Sequence, residues 1–201
     1  MADNWYDVVR SNELPNQGDI LFNFPIVVNK LPNSYPDLIH LMDEQTEILR
    51  KHKETGDPLP PLKPIVESTI QFADVVILTQ GCLIAGPSGP KVDQVTIAVI
   101  NDVKGMKFSV VSEIMSAKRP PYHLLSKSMD PGILMNYHYV DFTDTYSVSY
   151  DLLKSFCENT SSRLRLKSPY VDELSQRFGL FYSKIGLPNN TIDKKDLEAS
   201  L

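Results

Sequence analysis

The chain lacks most of what would disclose a function. Two cysteines in 201 residues, Cys82 and Cys157, are too few for a disulfide scaffold and point to a reducing compartment. No apolar run approaches the roughly 18–20 residues that cross a bilayer. The start, Met1-Ala2-Asp3-Asn4-Trp5-Tyr6-Asp7, has neither the basic opening nor the apolar core of a signal peptide. A cytoplasmic protein with no membrane role is expected. Positive charge is also short: 20 Lys and Arg against 25 Asp and Glu leave a net charge of −5. Duplex binders draw their affinity from basic faces, and here the bulk charge points mildly the other way, although a local basic patch stays open; RNA is a possible but disfavoured partner. There is no Gly-rich phosphate loop, nucleophile elbow or paired-carboxylate signature. Histidines are few and scattered: His40 and His52 stand too far apart on one expected helix to share an ion, and alternation sends His138 and Asp141 to opposite strand faces. No metal and no cofactor are therefore expected.

What is present is a globular composition, 42% hydrophobic and 22% charged. Gln17-Gly18-Asp19-Ile20-Leu21-Phe22 reads as a turn feeding a strand, interrupted at Pro25, with Pro15 and Pro32 bounding the segment. Over residues 34–54 the period becomes helical: Leu38, Leu41, Met42, Gln45, Ile48, Leu49 and His52 recur at steps of three and four, with Pro36 in the first turn. The run from Pro58 to Pro64 holds four prolines and ends that helix in a stiff connector. Helix and connector together are an insertion, too short for a core of its own.

Ala73–Thr79 and Val92–Ile100 predict a long-looped hairpin around the Gly/Pro loop 84–91. A second insertion is expected near 104–132, with a short helix at Val110–Met115. Residues 135–142 and 145–148 have strand propensity, and Ser149–Asn159 predicts a helix with Leu152, Leu153 and Phe156 on one side. A final helix opens at Ser168-Pro169 with acids in its first turn. It carries Val171, Leu174, Phe178, Phe181 and Ile185 as an apolar stripe and closes at Gly186. Residues 189–201 form a polar tail. The clusters Lys118-Arg119 and Arg163-Leu164-Arg165-Leu166-Lys167 read as solvated surface.

Three short motifs and this order of elements carry a resemblance. The opening Gln17-Gly18-Asp19-Ile20-Leu21, the hairpin from Asp74 to Gln80 and Gln94 to Ile100, and the late strand Tyr139–Val148 resemble the PemK/MazF-like toxin barrels. Gln17-Gly18-Asp19, Thr79-Gln80-Gly81-Cys82 and Leu174-Ser175-Gln176-Arg177-Phe178 together are similar to a group of uncharacterised bacterial proteins. The resemblance implies an α+β, mainly β chain. Residues 1–188 would form one domain, an SH3-like antiparallel barrel with insertions near 34–64 and 104–132 and a long C-terminal helix. The toxin barrels cleave RNA with an Arg opening the hairpin and a hydroxyl after it. The matching positions here read Phe72-Ala73-Asp74 and Ile100-Asn101-Asp102, so the catalytic pair is absent. The expectation is a non-catalytic binding or accessory protein with a protein partner or a second copy, in a bacterial toxin–antitoxin or antiviral defence setting. The alternative is a metal-independent endoribonuclease using Arg119 as cation and His123 as acid/base.

The candidate binding residues follow from two segments. Arg119-Pro120-Pro121-Tyr122-His123 combines cation, aromatic and imidazole, enough to hold a phosphate and stack a base, or to dock the insertion on the sheet. Gln80 and Cys82 sit at a strand end before a Gly/Pro loop. Cys82 is expected to be a small apolar residue in a core or hairpin shoulder rather than a nucleophile, since no histidine is spaced to activate it.

Overall fold

The computed structural model describes residues 4–30, 34–64, 66–86 and 89–183. The expectations for Pro32, Ile185, Gly186, part of the 84–91 loop and the tail 189–201 lie outside the described residues. The chain packs as two compact units, residues 1–24 with 74–201 and residues 25–73.

The larger unit is an α+β assembly on a mostly antiparallel sheet. Its elements are β1 (Tyr6–Arg10), the start of β2 (Asp19–Lys30), the end of β3 (Glu67–Ile77), α2 (Gly81–Ile84), β4 (Gln94–Asp102) and α3 (Phe108–Met115). There follow β5 (Tyr122–Leu125), β6 (Ser128–Asp130), β7 (Ile133–Met135), β8 (His138–Ser149), α4 (Tyr150–Asn159), β9 (Ser162–Leu166) and α5 (Tyr170–Ser183). The seven-stranded sheet runs β1-β9-β2-β3-β4-β8-β5, and β6 pairs with β7 apart from it. It is an open sheet with β1 and β5 as edges, not a closed barrel. The β4–β8 ladder shifts register between Ala98 and Ile100, a bulge that bends and re-aims the strands.

Ile20, Val76, Leu78, Ala98, Ile100, Val140, Phe142, Leu164 and Leu166 supply the sheet's core, joined by Tyr6, Leu125 and Leu174. Each fully buried side chain of this size stabilises the fold by about 1.5–3 kcal/mol. Residues 138–148, expected within two strands, lie in the single long β8, while Met135 ends β7. The expected second insertion contributes β5 to the main sheet, antiparallel to β8. The helix expected from Ser149 is α4, and Ser149 caps its first turn, its Oγ accepting from Leu152 N at 3.2 Å. The buried side is Tyr150, Leu153 and Cys157, while Leu152 faces out.

Beyond β5–β7 in the second insertion, β1 and β9 were not foreseen either. β1 and β9 pair with each other, and β9 also pairs with β2 through Asp19–Arg165 and Ile20–Leu164. The basic cluster read as solvated surface is thus partly core: Arg163 is 1% exposed beside Asp19 at 0%. Arg163 Nε donates to Asp19 Oδ2 at 2.7 Å, and its remaining donors reach the carbonyls of Arg10, Glu13 and Leu14. Arg165 pairs with the other carboxylate oxygen. A buried guanidinium is tolerable because its donors find acceptors.

The smaller unit holds α1 (Tyr35–Thr55) between the outer parts of β2 and β3. β2 continues in extended form past Pro25 without a break, and the boundary between the units falls at that residue. Ser34 caps α1 by accepting from Asp37 N at 3.2 Å; Gly56, with φ of 72°, ends it in the left-handed region. No residue of α1 is buried. The proline-rich connector returns beside it: Gln45 Nε2 donates to Lys63 O, Lys63 pairs with Glu44, and His52 Nδ1 meets Asp57 O.

Candidate functional site

The three motifs that carry the resemblance come together in space. Gly18 adopts φ of 79°, and a Cβ there would press on Leu166 and Val171 at 3.0 Å, so only glycine suits this turn. Gly18 N donates to Ile77 O at 2.9 Å and Gly18 O accepts from Leu166 N at 3.0 Å, tying the turn to β3 and β9. Beside it, Gln17 Nε2 donates to Leu78 O at 2.9 Å and to Ser175 Oγ at 2.8 Å. One amide therefore joins the first motif to the end of β3 and to α5. Thr79 Oγ1 accepts from Thr96 N at 2.7 Å, holding the second motif on β4. Gly81 leaves no room for a side chain, because a Cβ would collide with Asn16 Oδ1.

These contacts leave a wide-mouthed depression of about 390 Å³ lined by Gln17, Gln80, Gly81, Cys82, Asp172, Ser175 and Gln176. Its walls are mostly neutral amides and hydroxyls. The sequence supplied Gln80 and Cys82 for this site; Gln17, Asp172, Ser175 and Gln176 became members only through the packing of α5. Cys82 is exposed on α2, not a core residue, because a helical turn follows β3 and carries the thiol outward. Its Sγ lies 3.9 Å from Gln80 Oε1.

Cys157, by contrast, is buried, and burial pushes its thiol up to about 11. Mild alkylation of the folded protein at neutral pH is expected to label Cys82 alone, with Cys157 reacting only after denaturation. Intact-mass analysis checks this. Two adducts on the native protein would show that α4 does not seal Cys157.

The second cleft lies across α5. Arg119, Tyr122 and Ala117 from the α3–β5 loop face Arg177, Leu180 and Phe181, with Pro120 at the edge, around about 90 Å³. Both guanidiniums have carboxylate partners: Arg119 Nε reaches Glu113 Oε2 at 2.7 Å, and Arg177 Nη2 reaches Glu173 Oε1 at 2.7 Å. Tyr122 packs edge-on against Tyr139 with ring centroids 5.3 Å apart, so the loop is also docked on β8. The expected loop residues separate here. Arg119 and Tyr122 line the cleft, whereas strand alternation turns His123 inward with Leu125.

His123 is 1% exposed and neither ring nitrogen has a hydrogen-bond partner. Burial, with the Arg177 charge adding to it, lowers its imidazole to about 3. It is neutral at physiological pH and sealed from the cleft. A base or acid must reach the proton it moves, and this one does not.

The orphaned imidazole predicts an acid sensitivity. The folded value lies below the unfolded value of about 6.5, so below that pH the unfolded chain binds the extra proton. The contribution is intact above about pH 6.5 and falls by up to about 1.4 kcal/mol per unit toward pH 3. Arg177 is the charged group that faces the ring. Urea unfolding of wild type and His123→Leu from pH 7.5 down to about 4.5 should give diverging stabilities, the variant holding up better in acid. Parallel curves would mean that the ring takes up its proton freely in the fold.

Of the acids at the positions that the resemblance sets against the toxin pair, Asp74 accepts across from β2 and Asp102 within a turn. Asp74 Oδ1 accepts from Asn23 N at 2.8 Å, and Asp102 Oδ1 from Lys104 N at 2.7 Å. Among the described residues no group of three or more His, Cys, Asp or Glu is placed to hold a metal ion, and no helix is long and apolar enough to cross a membrane. Comparison with protein-family models, with curated proteins and with solved structures finds no match to this chain.

Proposed function

We propose that this chain is a non-catalytic binding or accessory protein, descended from a PemK/MazF-like scaffold and acting with a protein partner in a bacterial toxin–antitoxin or antiviral setting. The observation that carries the reading is the inward turn of His123. The loop that brings Arg119 and Tyr122 to a cleft keeps its one imidazole buried and unprotonated. What remains accessible, two arginines beside Tyr122, Phe181 and the 60%-exposed Leu180, is the side-chain chemistry that anchors protein interfaces. The barrel ancestry belongs to the same proposal. Its support is the antiparallel β3–β4–β8 run with its bulge at Ala98–Ile100, the segment in which the resemblance is densest.

Incubation of the purified protein with labelled single-stranded RNA, with and without magnesium, should leave the RNA intact. Cleavage that is lost in both Arg119→Ala and His123→Ala would establish the nuclease alternative instead.

A further inference from the structure

The cleft across α5 holds more hydrogen-bonding capacity than its glutamate pairs use. Its lining has two cations, Arg119 and Arg177, and no carboxylate, because Glu113 and Glu173 hold the guanidiniums without lining it. A guanidinium carries five N–H donors in a rigid fork. Arg119 gives only Nε to Glu113. Among the described residues the N–H groups of its two Nη atoms have no partner, nor does the hydroxyl of Tyr122 in the same cleft. Arg177 is more heavily engaged: Nε and Nη2 reach Glu173, and Nη1 donates to Ile114 O at 3.4 Å. Arg177 supplies charge, and Arg119 the free fork.

The loop holds this fork in place. Ala117 follows α3 in the left-handed region, with φ of 57°, a conformation usually left to glycine or asparagine. Ala117 N donates to Ile114 O at 3.0 Å, Lys118 N to Glu113 O at 2.9 Å and Tyr122 N to Arg119 O at 3.0 Å. Glu113 then pins Arg119 by its Nε. Donors fixed before binding lose little freedom when they are occupied.

Size and wall composition select the occupant. About 90 Å³ takes one side chain, whereas cofactors and nucleotides fill clefts of about 300–1,000 Å³. A planar carboxylate meets a guanidinium fork through two parallel hydrogen bonds. Ala117, Pro120, Leu180 and Phe181 make the rest of the wall apolar, which a sugar–phosphate strand would leave unmatched. The net charge of −5 also opposes a polyanion.

We infer that this cleft binds an acidic peptide segment of the partner, with one Asp or Glu carboxylate on the Arg119 fork and a neighbouring Leu, Ile or Phe side chain on Leu180 and Phe181. The inference rests on the reading of this cleft as a binding surface without chemistry.

A peptide array probed with the full chain tests it. Each peptide sets one Asp or Glu within three residues of a Leu, Ile or Phe in a Gly/Ser background, with Asn and Gln versions as controls. The best binder, labelled for fluorescence anisotropy, should lose at least about tenfold in affinity when its acid becomes the amide or its apolar residue becomes Ser. Arg119→Gln and Leu180→Ser, both outside the core, should each weaken it as much and leave the melting curve unchanged. An array with no preference for acid, or binding that both variants keep, would overturn the inference, as would labelled oligouridine displacing the peptides. If the RNA stays intact in those cases, the non-catalytic reading stands without this partner; cleavage of the RNA is the result that removes the reading itself.

Discussion

Asp19→Ala is expected to cost about 3–5 kcal/mol, the loss that follows when one partner of a buried ion pair is removed. The carboxylate is fully buried and both its oxygens are engaged. Oδ2 accepts from Arg163 Nε at 2.7 Å, Arg165 Nη2 at 2.9 Å and Asn16 N at 3.0 Å, while Oδ1 takes Arg165 Nε. Deleting it leaves Arg163, itself 1% exposed, as an uncompensated charge in the sheet. Against an ordinary domain stability of about 5–15 kcal/mol, that is enough to leave the fold marginal. Urea unfolding at neutral pH measures it. Glu47→Ala, which breaks an exposed pair on α1, is the control and should leave the midpoint unchanged. A loss below about 1 kcal/mol in Asp19→Ala would mean that water reaches the arginines and that β9 is not sealed against β2.

Phe178→Ala should cost about 2–4 kcal/mol, somewhat under the range for a fully buried phenylalanine because its ring is partly exposed. The ring lies 5.4 Å from Phe142 and 5.0 Å from Tyr182 by centroid, and Phe181 completes the group 6.0 Å from Phe142. Leu174, one turn earlier, is fully buried, and Trp5 stacks on Tyr170 at 4.0 Å. The stripe of α5 is therefore closed onto its own sheet, and thermal melting should register its loss. A variant that melted like wild type but changed its state of assembly would mean that α5 packs on another chain.

The reach of the sequence is uneven for physical reasons. Elements with a full local signal were legible: β4 by strict alternation, α1 by its period and its Pro58–Pro64 stop. β1 and β9 were not, because Arg163 and Arg165 made β9 look like a charge cluster. The signal was nevertheless there, since Arg163-Leu164-Arg165-Leu166 alternates with period two, as a strand does. Tyr122-His123-Leu124-Leu125 has too few residues, with apolar groups on both faces, for period to say which side is inward. The burial of His123 had to come from the β5–β8 register. Likewise Gln17, Leu78 and Ser175 lie far apart in the chain, and nothing local announces that the Gln17 amide will join them. Most of the motif residues turn out to hold the fold, and of their side chains only Arg177 brings charge to a cleft.

The central claim is that the loop bearing Arg119 and Tyr122 carries no working acid or base, and the titration of His123 tests it most directly. Imidazole resonances followed by NMR on the folded protein, with His123→Leu to assign them, give the value for this one ring. His123 is expected to stay neutral from pH 8 down to at least about 4.5. A His123 midpoint near 6.5 in the folded protein would contradict it and return the imidazole to the list of catalytic groups.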